Sequence, residues 1–494
     1  MKGKRFLAIL LAGMLSAGAL TACGKENKDT SGDSAKSNEV TFVFTKGGFE
    51  NHPDNDVIYQ KICEAADVTL NHISPPAANY DEKLTLILSG QEGDLPDLVK
   101  IQKTQFNKLF DYADQGALMD LTDLVKDCPN ILENIPQEAL DMCTRDGKLW
   151  AIPIWCSPNR MNTIIRQDWL DNLGLEVPET LEEYHDVLKA FTFDDPDQNG
   201  KNDTYGMTGC GMEALEPYLG AFGVTGIHQD FFYEDNGKLI AQAVNPKAKE
   251  ALAVLRDWYA EGLIDPEFAI MKNDSELNDK AMKNQFGVTY RWWTWEPKIE
   301  QEMQKVDPDV TFARIAPPVG PDGTSGVRGV SVLNGCVVML KDAKNPEACM
   351  RLLDWYHTEE GMMTVYTGVE GTHWEKRDDG KYYTLPQFDE DQSWIQWYSA
   401  FESEWPLLQV ETPLVQSRRD AFNWPVITNA GDGYITDAQL QYSTDLTTLV
   451  TDAYTKIITG QEPLDYFDQF VQEWYAKGGQ EWTDQINEMY QADK

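Results

Sequence analysis

Short apolar runs alternate with longer amphipathic ones along most of this chain. Val40-Thr41-Phe42-Val43-Phe44 is rich in β-prone apolar residues and predicts a buried strand. Helical spacing follows over about 57–66, then a second strand over 68–72 and a helix over Tyr80–Leu88. Further on, Trp150-Ala151-Ile152-Pro153-Ile154 and Met161–Arg166 read as strands. Thr180 and Glu183 stand at capping-box spacing, and Leu181, Tyr184, Val187, Leu188 and Phe191 follow with helical period. Asn245-Pro246, Asn345-Pro346 and Pro463 open three more amphipathic helices. Alternation of strand and helix predicts parallel strands with helices on their faces. No short-period repeat is present, which argues against a solenoid.

The N-terminus has a pattern of its own. Lys2, Lys4 and Arg5 precede an apolar run from Phe6 to about Leu20, too short for a comfortable permanent span and ending in small residues. Residues 1–22 therefore read as a signal peptide. Leu20-Thr21-Ala22-Cys23 resembles the bacterial lipoprotein box, which implies acylation of Cys23 as the new first residue, with a diacylglycerol and fatty acyl chains such as palmitate. Residues 24–38 are polar and aperiodic, so 23–38 form a lipidated flexible tether. The expected location is the extracellular face of the cell membrane, held there by lipid alone.

Charge and size narrow the function. Cleavage after residue 22 removes three positive charges and takes the net charge from −39 to −42. So acidic a surface, with no compensating basic stripe, argues against nucleic acid and against direct binding to anionic headgroups. About 470 residues are too many for one core and predict two lobes. After Cys23, seven cysteines remain (Cys63, Cys128, Cys143, Cys156, Cys210, Cys336 and Cys349), without CxxC or zinc spacing. They read as small buried hydrophobes.

Asp195-Pro196-Asp197-Gln198-Asn199-Gly200-Lys201-Asn202-Asp203 is the sharpest local motif. Side-chain oxygens fall at loop positions 1, 3, 5 and 9 with glycine at 6, which is EF-hand spacing for calcium. Asp195, Asp197, Asn199, the Lys201 carbonyl and Asp203 are the candidate ligands. Position 12 is Gly206, so the usual bidentate glutamate is missing. A metal-free Asp/Asn/Gly turn is the other reading.

Aromatic residues gather in Tyr290-Arg291-Trp292-Trp293-Thr294-Trp295. Indole rings stack on the C–H faces of sugars, and alternation in an extended segment would place Arg291, Trp293 and Trp295 on one side. Trp155 near Arg160 and Asn162, Glu370 with Trp374, and Trp424 after Arg418 and Arg419 are further candidates, each with core packing as its alternative. Arg418 and Arg419 suit either a uronic acid carboxylate or a solvated balance to nearby acids. The six histidines show neither HxH nor HExxH spacing, and no P-loop, GxSxG or GxGxxG follows a strand.

Several segments resemble the family 1 extracellular solute-binding proteins that serve sugar importers of the ATP-binding-cassette class. Gly93-Asp94-Leu95-Pro96-Asp97-Leu98-Val99, Gly116-Ala117-Leu118-Met119-Asp120-Leu121-Thr122 and Leu352-Leu353-Asp354-Trp355 are similar to its motifs. Ile165-Arg166-Gln167-Asp168-Trp169-Leu170, continuing to Pro178, is the most specific match. The resemblance is strongest to the larger, calcium-containing branch that includes alginate-oligosaccharide binders. It implies an α/β, two-lobed periplasmic-binding-protein-like fold (type II), each lobe a mostly parallel sheet flanked by helices. Lobe 1 is expected over 39–155 and 316–370, lobe 2 over 156–315 and 371–494. It also implies a monomeric carrier for an oligosaccharide, partnered by permease transmembrane subunits, with no catalytic residues and with structural Ca2+. Trp293 would be the leading stacking residue, by its resemblance to the Trp-x-Trp of maltodextrin binders. A lipid-anchored glycoside hydrolase or polysaccharide lyase is the competing class, and would need two carboxyl groups facing across a cleft.

Overall fold

A computed structural model describes residues 38–46, 56–91, 94–225, 231–401, 411, 413–422 and 424–492. Cys23, the signal segment 1–22 and the tether up to residue 37 lie outside the described residues.

Two sheets organise the chain. The first contains β1 (Glu39–Val43), β2 (Thr69–Ile73), β3 (Leu98–Gln102), β4 (Ile152–Trp155) and, much later, β9 (Leu333–Met339). The second contains β5 (Met161–Arg166), β6 (Tyr205–Met207), β7 (Phe286–Trp292) and β8 (Phe312–Ile315). Spatial order is β2-β1-β3-β9-β4 in the first sheet and β8-β5-β7-β6 in the second. β1 pairs in parallel with β2 and β3, and β9 runs antiparallel to both β3 and β4. β6 is parallel to β7, while β5 is antiparallel to β7 and β8. Both sheets are thus mixed, which corrects the expectation of mostly parallel ones. The cause is connectivity. β5 and β9 are the strands that enter each sheet from the other, and each runs against its neighbours.

Burial follows the apolar pattern. Val40, Phe42, Leu98, Val99, Ile152 and Val337 have no accessible surface and centre a first core. Trp169, Leu188, Leu252, Val450 and Trp474 centre a second. The capping box is formed: Glu183 N donates to Thr180 Oγ1 at 3.3 Å, and Thr180 N donates to Glu183 Oε2 at 2.9 Å. Those backbone donors hold the Glu183 carboxyl below the usual carboxylate range. Cys128, Cys143, Cys156, Cys336 and Cys349 are buried, Cys63 and Cys210 half-buried, and all seven are unbridged.

Among the described residues, the chain passes between the cores over 156–160 and over 316–332, and the helix Pro413–Phe422 already packs on β5 and β8 of the second sheet. Tyr398, Ala400 and Phe401 pack in the first core, so the stretch up to 401 belongs with it, not with the second core as 371–494 was expected to do. The passages run side by side. Cys156 N donates to Val332 O at 2.9 Å and Val330 N to Pro158 O at 2.7 Å. The second passage also bonds to the second core's segment 425–427: Gly329 N donates to Ile427 O at 2.9 Å and Val327 N to Pro425 O at 3.0 Å. Among the described residues, no helix is long and apolar enough to cross a membrane.

Candidate functional site

β4 ends at Trp155 and β8 at Ile315, immediately before two of the passages. The pairings then turn the carboxyl ends of β1–β3 and of β6 and β7 the same way, towards these linking segments. Loops at strand carboxyl ends are where open α/β sheets place ligands.

A buried polar knot sits there on the second sheet. Asn162, on β5, is fully buried, and its amide nitrogen donates to Ser417 O at 3.1 Å and to Ser417 Oγ at 3.0 Å. Its amide oxygen accepts from Trp424 Nε1 at 3.1 Å. Ser417 Oγ donates to Trp293 O at 2.9 Å, and Trp293 N donates to Arg160 O at 3.1 Å. The Arg418 guanidinium lies 5.6 Å from the Trp293 ring centroid and donates to Asn159 O. The fold therefore brings Trp293 and Trp424, from distant stretches of sequence, to the neighbouring Arg160 and Asn162. Asn162 and the Trp424 indole N–H are turned on each other, so they position this corner and do not offer those groups to a ligand. Trp293 is half-buried and Trp292 is 38% exposed.

Other candidates are placed differently. Trp295 is buried in a small core with Ile164, Phe286 and Ile299, its indole N–H donated to Asn278 Oδ1 at 2.8 Å. The expected shared face with Trp293 is not formed, because the strand ends at Trp292 and the helix Trp295–Gln304 begins three residues later. Arg291 is bound by Glu213 at 2.7 Å and Asp274 at 2.6 Å, and Arg419 by Glu411 at 3.1 Å. Arg418 is fully buried. Trp155 packs half-buried on the first core, and its indole N–H has no partner among the described residues. Glu370 and Trp374 line a separate pocket of about 470 Å³ on the first core with Lys61 and Glu359, where Trp374 Nε1 donates to Gly368 O at 2.8 Å.

A cavity of about 130 Å³ is walled by both cores. Lys103 and Phe106 come from the segment after β3, and Phe232, Asp432, Tyr434 and Trp482 from the second core's side. Sequence reading missed all six. The usable signal was Gly431-Asp432-Gly433-Tyr434, an aromatic in a glycine-rich turn; nothing local marks Phe106 or Trp482.

The Asp195–Asp203 loop follows the helix Leu181–Phe193. Gly200 N donates to both Asp195 oxygens, at 3.2 and 3.0 Å, through a backbone with φ +77°. The Asn199 amide nitrogen donates to Asp197 Oδ2 at 2.8 Å and Asp203 Oδ1 at 3.1 Å, standing where a cation would balance those carboxylates. Burial, then the charges of Asp203 and Asp195, push the Asp197 carboxyl up from the ordinary range. Among the described residues, no group of three or more His, Cys, Asp or Glu side chains is closed into a metal site. The donor set fits calcium in kind, with hard oxygens at alternating positions. Thr204, at position 10, is buried and donates to Phe191 O at 2.8 Å, so it is no ligand. At Gly206 a Cβ would lie 2.5 Å from Leu188 O, which excludes a glutamate at position 12.

The Arg166-Gln167-Asp168-Trp169 segment is structural. Arg166 binds Asp168 through Nε and Nη2, donates to Asn284 Oδ1 at 2.7 Å, and lies 4.7 Å over the Trp169 ring.

Two mixed α/β bodies, joined by several chain passages with a cavity between, define a two-lobed binding protein. Residues 49–363 match the family model of the bacterial extracellular solute-binding proteins, and the chain belongs to that family. It is 26% identical to Lipoprotein LipO of Bacillus subtilis, over 99% of each chain. It is 23% identical to the polygalacturonan/rhamnogalacturonan-binding protein YtcQ of the same organism, over 100% of each. The structure of an EF-hand mutant of the Streptococcus pneumoniae ABC-transporter substrate-binding protein FusA, in complex with fructo-nystose, shares the fold: TM-score 0.61, 18% identity, 92% of this chain and 100% of that one.

Proposed function

We propose that this protein captures an oligosaccharide between its lobes and delivers it unaltered to the transmembrane subunits of an ATP-binding-cassette permease. The cavity walled by both cores carries this reading, because a ligand held there joins the two lobes in one complex. Phe106 and Tyr434 supply partly exposed aromatic faces over a floor backed by the buried Phe232 and Trp482, and Lys103 and Asp432 supply polar contacts. The polygalacturonan and fructo-nystose named for YtcQ and FusA support a carbohydrate ligand. In this reading lobe 1 comprises 39–155 and 333–401, and lobe 2 comprises 161–315 and 413–492, with Trp293 and Trp292 extending the sugar-binding surface.

Cys23 carries the lipid, residues 24–38 form the tether, and the body works as a monomer on the extracellular face of the membrane. Asp195, Asp197, Asn199, Lys201 through its carbonyl, and Asp203 hold a structural calcium ion. Binding of that ion requires the Asn199 amide to rotate its oxygen inwards, since its nitrogen now faces the carboxylates.

Titrating a glycan panel against intrinsic tryptophan fluorescence and calorimetry tests the reading. Stoichiometric, saturable binding with the glycan recovered intact is expected. Cleavage products would establish the hydrolase or lyase class instead.

A further inference from the structure

The charges that line the interlobe cavity number two, one of each sign: Lys103 on the first core's side and Asp432 on the second's. Neither has an ion-pair partner among the described residues. Of the candidate arginines, Arg160 lies at the Trp293 corner and does not line this cavity, and Arg291, Arg418 and Arg419 are engaged with other groups, as is Arg314. Arg291 faces Glu213 and Asp274, Arg314 faces Glu296 and Asp420, and Arg419 faces Glu411. Arg418 is buried against Asn159 O.

We infer that Lys103 and Asp432 are specificity-determining residues that select a neutral sugar ring, and that this cavity is the subsite for one such ring. The inference rests on the oligosaccharide reading above and goes further by fixing the charge class of the ligand. A uronate in the cavity gains from Lys103 but is repelled by Asp432, inside a protein whose net charge is −39. An amino sugar meets the opposite conflict at Lys103. A neutral ring meets none: its hydroxyls accept from the Lys103 ammonium and donate to the Asp432 carboxylate, while aromatic faces cover its C–H surfaces. Size agrees, since about 130 Å³ is on the scale of one six-membered ring, which an engineered cavity of roughly 150 Å³ accepts as benzene. Longer glycans must extend out of the cavity.

The test compares neutral fructo-, malto- and manno-trisaccharides with trigalacturonate on the full mature chain, by calorimetry at low and high salt. The wild type is expected to bind at least one neutral trisaccharide at least tenfold more tightly than trigalacturonate. Asp432→Asn leaves a net positive cavity and shifts that ratio towards the acid by about tenfold, an effect that shrinks in high salt. Lys103→Gln shifts the ratio the other way, and the double variant returns it close to wild type. Lys103 is exposed and Asp432 half-buried, so folding is preserved, and thermal melts verify it. A wild-type preference for trigalacturonate overturns the inference and leaves the oligosaccharide reading standing. So does a neutral preference that neither single variant alters. Failure of the folded protein to bind any glycan of the wider panel overturns both.

Discussion

The carboxyl of Glu300 hydrogen-bonds the carboxyl of Glu296, one turn earlier on the helix Trp295–Gln304. Glu296 is buried and takes a 2.6 Å ion pair from Arg314, which also binds Asp420 at 2.7 Å. Burial pushes Glu300 up to about 8, Glu296 adds to the rise, and Arg314 opposes it. This pair stands side by side on one helix and does not face across a cleft, as the acid and base of a glycosidase would.

That pair gives a signed pH prediction. From the ordinary 4.5 up to about 8, the native state holds a proton on Glu300 that the unfolded chain has released. Stability from this site is complete below that window, falls as pH rises through it, and levels off above. Glu300→Gln imitates the protonated form. The variant's Tm is expected to decline less between pH 5 and 9 than that of the wild type. Parallel Tm curves would refute the shared proton.

Asn162 holds its corner through three hydrogen bonds, none of them exposed. Replacing it by Ala leaves the Trp424 N–H and the Ser417 groups without that partner, at a cost of about 2–4 kcal/mol. Urea unfolding should show the loss with an unchanged m-value. A cost under about 0.5 kcal/mol would mean that the knot is not cooperative.

Trp293 is half-buried, and its backbone is fixed by Arg160 and Ser417. Trp293→Ala is therefore expected to lower Tm only slightly while weakening glycan affinity by about tenfold, or about 1.4 kcal/mol. Unchanged affinity would remove Trp293 from the binding surface.

Calcium should raise the Tm of chelator-treated protein, and Asp195→Ala should abolish that rise. Supplying the missing ligand by Gly206→Glu is expected to unfold the loop region, because a Cβ there meets Leu188 O at 2.5 Å. Calorimetry silent at millimolar calcium would leave the loop as a turn stapled by its own amide.

Much of the fold was legible in the chain. Buried strands such as Val40–Phe44 and Met161–Arg166 announce themselves by continuous apolar runs, and the Thr180–Glu183 cap by spacing. Local pattern failed where the chain changes state. Alternation grouped Trp295 with Trp293, but one turn converts strand to helix between them and sends Trp295 into the core. The cavity was illegible for another reason. Phe106, Phe232, Tyr434 and Trp482 meet only after the passages have crossed, and no window of sequence contains two of them. Arg418 misled because a guanidinium reads as surface, while its real partner, Asn159 O, lies 259 residues away.

Two described ribbons run stitched together between the two bodies. The bonds Cys156–Val332 and Val330–Pro158 tie the two ribbons to each other, and Gly329–Ile427 ties one of them to the second body, so the joint is a strap and not a pair of loose threads. In the proposed carrier, residues of the walls and residues of the strap are then separate sets, so substitutions at the walls would tune the grip without touching the strap.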